Sequence, residues 1–260
     1  MKQLKIERDV NISIRNITKA FNKKTILKNF SVELLSGETI LLLGLNGSGK
    51  STLIKCIMDL LELEEGEIVI SDLKYNSNST TIKGFLGLSA EYNPLIEEFT
   101  ALEYLQFIGA AYHISKSELD HRIKSILVYF FEDSNLESKL ISDYSSGMKK
   151  KLSICAAFLN RPTILILDEP FTAIDFAAAK KLVNLIRQYQ DSKRIIIIVS
   201  HELDNISELV THVVVINNRI MNVKSSVEEF TKFRKMSIYD AFSELLHINN
   251  DEKDSSVSWI

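Results

Sequence analysis

The run Leu41-Leu42-Leu43-Gly44-Leu45-Asn46-Gly47-Ser48-Gly49-Lys50-Ser51-Thr52 passes from an apolar strand through a glycine-rich turn into the start of a helix. It matches G-x-x-x-x-G-K-[ST] in the context that pattern needs, after a strand and before a helix. Glycines at 44, 47 and 49 admit turn geometries that a Cβ forbids, so successive N–H groups can face phosphate oxygens. Asn46, Gly47, Ser48, Gly49 and Thr52 therefore belong to an expected anion cradle. Lys50 is expected to reach the β and γ phosphates and Ser51 to hold Mg²⁺ through its hydroxyl, with the positive end of the helix dipole beside them.

The chain has 260 residues, of which 45% are apolar and 25% charged, enough for a substantial core. One domain over 1–248 is expected, with a helical subdomain over about 92–160 and a polar, acidic tail over 249–260. The longest apolar runs are strand-sized and fall short of the roughly 18 residues that span a bilayer. Residues 1–9 lack the apolar core of a signal peptide, which points to the cytosol. Cys56 and Cys155 sit in helical patterns without a C-x-x-C pair and read as buried small hydrophobes. A formal charge of −3 argues against a broad nucleic-acid surface.

Alternation predicts strands over 10–18 and 26–35, the first leading into a loop over 19–24 that exposes Phe21. A buried strand over 39–43 and a helix over 50–61 follow. Residues 67–70 read as a strand, 75–81 as a polar, turn-rich segment, and 85–89 as another strand. From Thr100, where Thr100-Ala101-Leu102-Glu103 has the form of a capping box, the pattern is helical to about 160. Within it, the cluster Tyr129-Phe130-Phe131 reads as core. The runs 163–167 and 194–199 are apolar on both faces, as central parallel strands are. Residues 177–190 and 202–210 read as helices, 213–216 and 219–223 as a hairpin turning at Asn217-Asn218, and 225–247 as mostly helical.

Each doubly buried strand ends in a polar residue with a chemical use. Asp168 closes one, the expected place for a carboxylate that binds Mg²⁺ beside a phosphate loop, and adjacent Glu169 is expected to orient or deprotonate an attacking water. His201 follows another such strand and can donate to a γ-phosphate. Phe21 can stack on a base or fold onto its own sheet. The run Lys149-Lys150-Lys151 reads chiefly as a solvated helical face.

Together these motifs resemble the nucleotide-binding domain of ABC transporters, over roughly 10–247. Residues 44–51 look like Walker A and 164–169 like Walker B with its catalytic glutamate. Thr172-Ala173-Ile174-Asp175 is similar to the D-loop, Ser200-His201 to the switch histidine, and Tyr144-Ser145-Ser146-Gly147-Met148 to the signature. The resemblance implies a P-loop NTPase α/β fold: a mostly parallel central sheet, an N-terminal antiparallel β subdomain and an inserted helical subdomain. It implies ATP and Mg²⁺ as ligands, with Phe21 against adenine. It also implies that the helix start at Ser145 and Gly147, with Asp175, meets the nucleotide held by a second ATPase chain, identical or different.

Three positions depart from the family pattern. Ser146 replaces a glycine, making positive φ less comfortable; Met148 replaces a glutamine; and Glu91 stands in the Q-loop position, where a carboxylate can coordinate Mg²⁺ but cannot donate a hydrogen bond. These variants resemble an exporter branch, as does the ending Ser237-Ile238-Tyr239-Asp240-Ala241-Phe242-Ser243-Glu244-Leu245-Leu246. The resemblance therefore implies an ATPase at the cytoplasmic face of the membrane that powers a separate polytopic permease, exporting a drug, peptide or ion. A soluble ABC ATPase of the iron–sulfur assembly type is the alternative. A P-loop kinase would leave the signature and His201 unexplained.

Overall fold

The strands Thr39–Leu43 (β3), Ile164–Asp168 (β6) and Ile195–Val199 (β7) are buried along their whole length. A strand without a polar face must lie inside a sheet covered on both sides. In the computed structural model, which describes residues 10–22, 24–92, 94–131, 139–217, 223–232 and 237–245, they do. With Leu86–Ser89 (β5), His212–Val215 (β8) and Val223–Ser226 (β9) they form a six-stranded sheet of order β5-β6-β7-β3-β8-β9. Every pairing is parallel except β8 with β9. A second, antiparallel sheet is built from Asn11–Phe21 (β1), Lys24–Leu35 (β2) and Glu65–Ile70 (β4), in the order β2-β1-β4.

Alternate side chains of the central strands serve two cores. Leu41, Leu43, Leu165, Leu167, Ile196 and Ile198 face one layer of helices. That layer comprises Ala101–Ala111 (α3), Lys116–Phe130 (α4), Ser146–Leu159 (α5) and Phe176–Tyr189 (α6). Ile40, Leu42, Ile164, Ile166, Ile195 and Ile197 face the antiparallel sheet. The same core holds Lys50–Ile57 (α1) and Tyr75–Phe85 (α2). The result is the fold class expected from the sequence. The predicted capping box is present: Thr100 accepts from the Glu103 N–H, and Glu103 accepts from the Thr100 N–H at 2.8 Å. Phe130 and Phe131 are core, and Cys56 and Cys155 are free and buried.

Several local expectations are corrected. Residues 75–85 are helical, not turn-rich, because Tyr75 and Ile82 are buried anchors and the Tyr75 hydroxyl donates to Ile57 O. Residues 202–210 make only a 3-10 turn at Leu203–Asn205 and further turns; Ile206 and Leu209 are buried without an α-helix. β1 runs on to Phe21, which pairs with Lys24 at the start of β2, so 19–21 and 24 are strand and not loop. Among the described residues β9 runs Val223–Ser226, in a register that lets Lys224 Nζ donate to buried Glu38 at 2.6 and 2.7 Å. Of 225–247, Val227–Lys232 (α7) and Ile238–Leu245 (α8) are helical. The expected tail 249–260, residues 1–9, Asn218 and the start of the expected strand at 219–222 lie outside the described residues.

Candidate nucleotide site

Strand order builds the site. β6, β7 and β3 are adjacent and parallel, with Asp168 beside Val199 and Ile198 beside Leu41, so their carboxyl ends open side by side. Ligands of such sheets bind outside these ends. A cavity of about 530 Å³ lies there. It is lined by Phe21, Asn46, Gly47, Gly49, Lys50, Ser51, Thr52, Glu91, Asp168, Glu169 and His201, all expected site residues. Thr172, which opens the D-loop-like segment, lines it too, as do Ile26, Val199 and Glu202, which were not singled out as site residues in the sequence. Thr172, Val199 and Glu202 sit within three residues of Asp168, Glu169 or His201, a proximity the motifs contained; nothing in the sequence marks Ile26.

The loop after β3 has the backbone that its glycines predict. Gly49, the N-cap of α1, has φ 111°, and a Cβ there would come within 2.9 Å of Leu27. Gly44 is packed so closely that a Cβ would meet Ser48 Oγ at 2.2 Å. Gly44 and Ser48 thus shape the loop from below: Ser48 Oγ is buried without a partner, and its N–H donates to Leu45 O at 3.0 Å. Lys50 Nζ donates to Gly44 O at 2.8 Å and Leu45 O at 3.3 Å, so the ammonium caps its own loop. Burial lowers its pKa, opposed by the charges of Glu169, Asp168 and Glu91.

The acidic side is strained electrostatically. Burial, then the charges of Glu91 and Glu169, lift the Asp168 carboxyl from 3.8 to about 6, with Lys150 and Lys50 opposing. Burial likewise lifts Glu169, against His201 and Lys50. Glu169 has φ 46°, its N–H donates to Val199 O at 2.8 Å, and its carboxylate accepts from the His201 N–H at 3.4 Å. His201 Nε2 lies 3.4 Å from Glu169 Oε1. Ser51 and Asp168 offer hard oxygen donors to one cavity, and a carboxylate whose ionisation is opposed there fits a divalent cation of the Mg²⁺ kind. Lys19 Nζ sits 5.2 Å over the Phe21 ring, which is 43% exposed and lines the cavity.

The remaining expected residues are elsewhere. Ser145, Gly147 and Asp175 do not line the cavity of this chain. Ser145 is the N-cap of α5 and accepts from the Met148 N–H at 3.2 Å; Asp175 is the N-cap of α6 and accepts from the Ala178 N–H at 2.8 Å. That bond, first of several, holds the Asp175 carboxyl below its ordinary value. Gly147 packs on the segment before α6, where a Cβ would meet Ala173 O at 2.5 Å. Ser146 is helical with ordinary φ, so the discomfort expected from losing a glycine there does not arise.

A loop of this geometry, facing two carboxylates and a histidine at the ends of neighbouring strands, defines a P-loop ATPase site. The sequence profile described as ABC transporter matches residues 27–172, more than half the chain, and the chain belongs to that family, carrying its ATP-binding ATPase domain. It is 31% identical over 206 residues to the linearmycin resistance ATP-binding protein LnrL of Bacillus subtilis (strain 168), covering 79% of this chain and 66% of that protein. It thus spans about two thirds of that relative's length. It is 29% identical over 232 residues to the methionine import ATP-binding protein MetN of Clostridioides difficile (strain 630), covering 86% of this chain and 71% of the relative. A solved structure of the ATP-binding subunit of an ABC transporter superposes with a TM-score of 0.83 at 27% identity, covering 90% of this chain and 99% of the other. Among the described residues no helix is long and apolar enough to cross a membrane.

Proposed function

We propose that this chain hydrolyses MgATP as one half of a pair and drives a separate membrane permease. The observation that carries the reading is the single cavity shared by the β3 loop, Asp168, Glu169 and His201. Phe21 stacks on the base, the loop N–H groups and Lys50 grip the phosphates, and Ser51 and Asp168, with Glu91 at the rim, hold Mg²⁺. When held there, Mg²⁺ would supply positive charge to offset that of the phosphates. Glu169 orients water and takes its proton, a role that its raised pKa favours, while His201 donates to the γ-phosphate.

Ser145, Gly147 and Asp175 complete the site from a second ATPase chain, identical or different. Support comes from their position: both helix N-termini stand outside the cavity of their own chain, with Ser145 exposed. Binding of ATP closes the pair and hydrolysis opens it. The permease docks near Glu91 on the helical part of the chain, which offers exposed aromatic rings: Tyr92 is 84% exposed and Phe107 of α3 is 53% exposed. The chain then works at the cytoplasmic face of the membrane. Export of a drug, peptide or ion is favoured over import by the resistance function in the name of LnrL.

Glu169→Gln tests the reading: it is expected to bind ATP, hydrolyse it at least about a hundredfold more slowly, and elute as an ATP-stabilised dimer on gel filtration. Turnover near that of the unaltered protein would place the base elsewhere. Purification from native membranes without any polytopic partner would refute the permease.

A further inference from the structure

The lysine run at 149–151 reads from sequence as solvated, and two of its members reach the surface: Lys149 pairs with Glu97, and Lys151 lies over the Phe131 ring at 5.0 Å. Lys150 does not. It is 6% exposed, the one cation in the buried set among the described residues, and it does not line the cavity. Its Nζ donates to Asp168 O at 2.9 Å and to Ala90 O at 3.0 Å. A turn further along α5, Ser153 Oγ lies 2.9 Å from Ser89 Oγ, both buried. The signature helix is thereby fastened to the ends of β5 and β6, immediately before Glu91 and Glu169.

Asp168 O belongs to the peptide that joins Asp168 to Glu169. The N–H of that same peptide donates to Val199 O at 2.8 Å. One edge is therefore fixed by β7 and the other by Lys150. Beyond it the backbone turns left-handed at Glu169, with φ 46°. The direction in which the Glu169 carboxylate leaves the chain depends on the plane of this peptide.

We infer that Lys150 is a positioning residue for hydrolysis: by bridging two carbonyls it fixes the Asp168–Glu169 peptide and the 89–91 turn in one register, which aims the Glu169 carboxylate at the attacking water. The inference rests on the role given to Glu169 above. Lys150 acts only through these groups, and removing its ammonium breaks the bridge between the two carbonyls beside the base. A lysine that served packing alone could be exchanged for methionine with a change in stability and none in turnover per folded molecule.

The test uses the full chain with Lys150→Met and Lys150→Gln, measuring steady-state MgATP hydrolysis, ATP binding in EDTA by equilibrium dialysis, and the folded fraction by thermal melting. Lys150→Met is expected to keep KM and ATP affinity within about threefold while kcat falls at least about tenfold, the pattern of an interaction that matters in the transition state. Lys150→Gln, whose amide offers N–H donors to both carbonyls, is expected to recover at least about a third of the original kcat. A Lys150→Met kcat within about twofold of the unaltered protein, or a Lys150→Gln variant as slow as Lys150→Met, overturns the inference. If Lys150→Met does not fold, Lys150→Arg decides: it keeps charge and donors but reaches further, and should lower kcat at least about threefold at unchanged KM. An unchanged kcat there overturns the inference equally. An unaltered protein that does not hydrolyse ATP refutes the proposed function instead.

Discussion

Asp168→Asn should make the metal-free protein more stable while abolishing its Mg²⁺-dependent turnover. The side chain is 5% exposed and faces Glu91 and Glu169 across one cavity, and its carboxyl rises from 3.8 to about 6. At about 1.4 kcal/mol per pH unit, that difference corresponds to about 3 kcal/mol opposing the ionised form in the folded state. Water at the open mouth of the cavity screens part of this, leaving about 1–3 kcal/mol. The sign follows from linkage. Because the folded value lies above the unfolded one, the folded state binds the proton more tightly, so the cost is absent below about pH 4, grows between about 4 and 6, and is complete above that. Urea unfolding in EDTA should therefore show Asp168→Asn more stable by about 1–3 kcal/mol near pH 8, with the advantage gone near pH 4. Added Mg²⁺ and ATP should narrow the gap at high pH, because they bind only the unaltered site well. A variant no more stable than the parent near pH 8, or equally advantaged at both pH values, would refute the argument that this carboxylate is held in place against its own electrostatics.

Lys50→Ala removes the ammonium that caps Gly44 O and Leu45 O, and should weaken ATP binding in titration calorimetry by about 1.5–3 kcal/mol, as loss of a charged hydrogen bond does. Phe21→Ala should cost ATP about 0.5–1.5 kcal/mol while leaving inorganic triphosphate binding unchanged; equal losses for both would mean the ring does not stack on the base. Gly147→Ala drives a methyl to 2.5 Å from Ala173 O, where Ala173 is already left-handed at φ 66°. The shift should cost about 1–3 kcal/mol and lower ATPase activity without lowering ATP affinity measured in EDTA, since Gly147 stands outside the cavity.

What the sequence made legible was whatever is encoded locally. The β3 loop, Asp168 and Glu169 at the end of β6, and His201 just beyond β7 were all readable, because a doubly apolar strand ending in a polar residue announces both its place in a parallel sheet and the edge where chemistry occurs. Helix 75–85 was not, since its run of Asn, Ser and Thr carries turn propensity, and only the nonlocal bond from the Tyr75 hydroxyl to Ile57 O and the burial of Ile82 override it. The turns at 202–210 failed the other way: Leu203, Ile206 and Leu209 recur at a spacing that suits a helix, yet successive tight turns bury Ile206 and Leu209 as well. Lys150 is the sharper case. A lysine flanked by lysines on a helix carries no sign of burial, and its partners, Ala90 O and Asp168 O, lie 60 and 18 residues away in the chain. Periodicity reports which face of a helix is apolar; it cannot report that two strand ends have brought carbonyls to that face. The same reasoning explains Ser145 and Asp175. Their cap roles are local and visible in one chain, whereas the nucleotide contact proposed for them involves a second chain, since they do not line the cavity of their own.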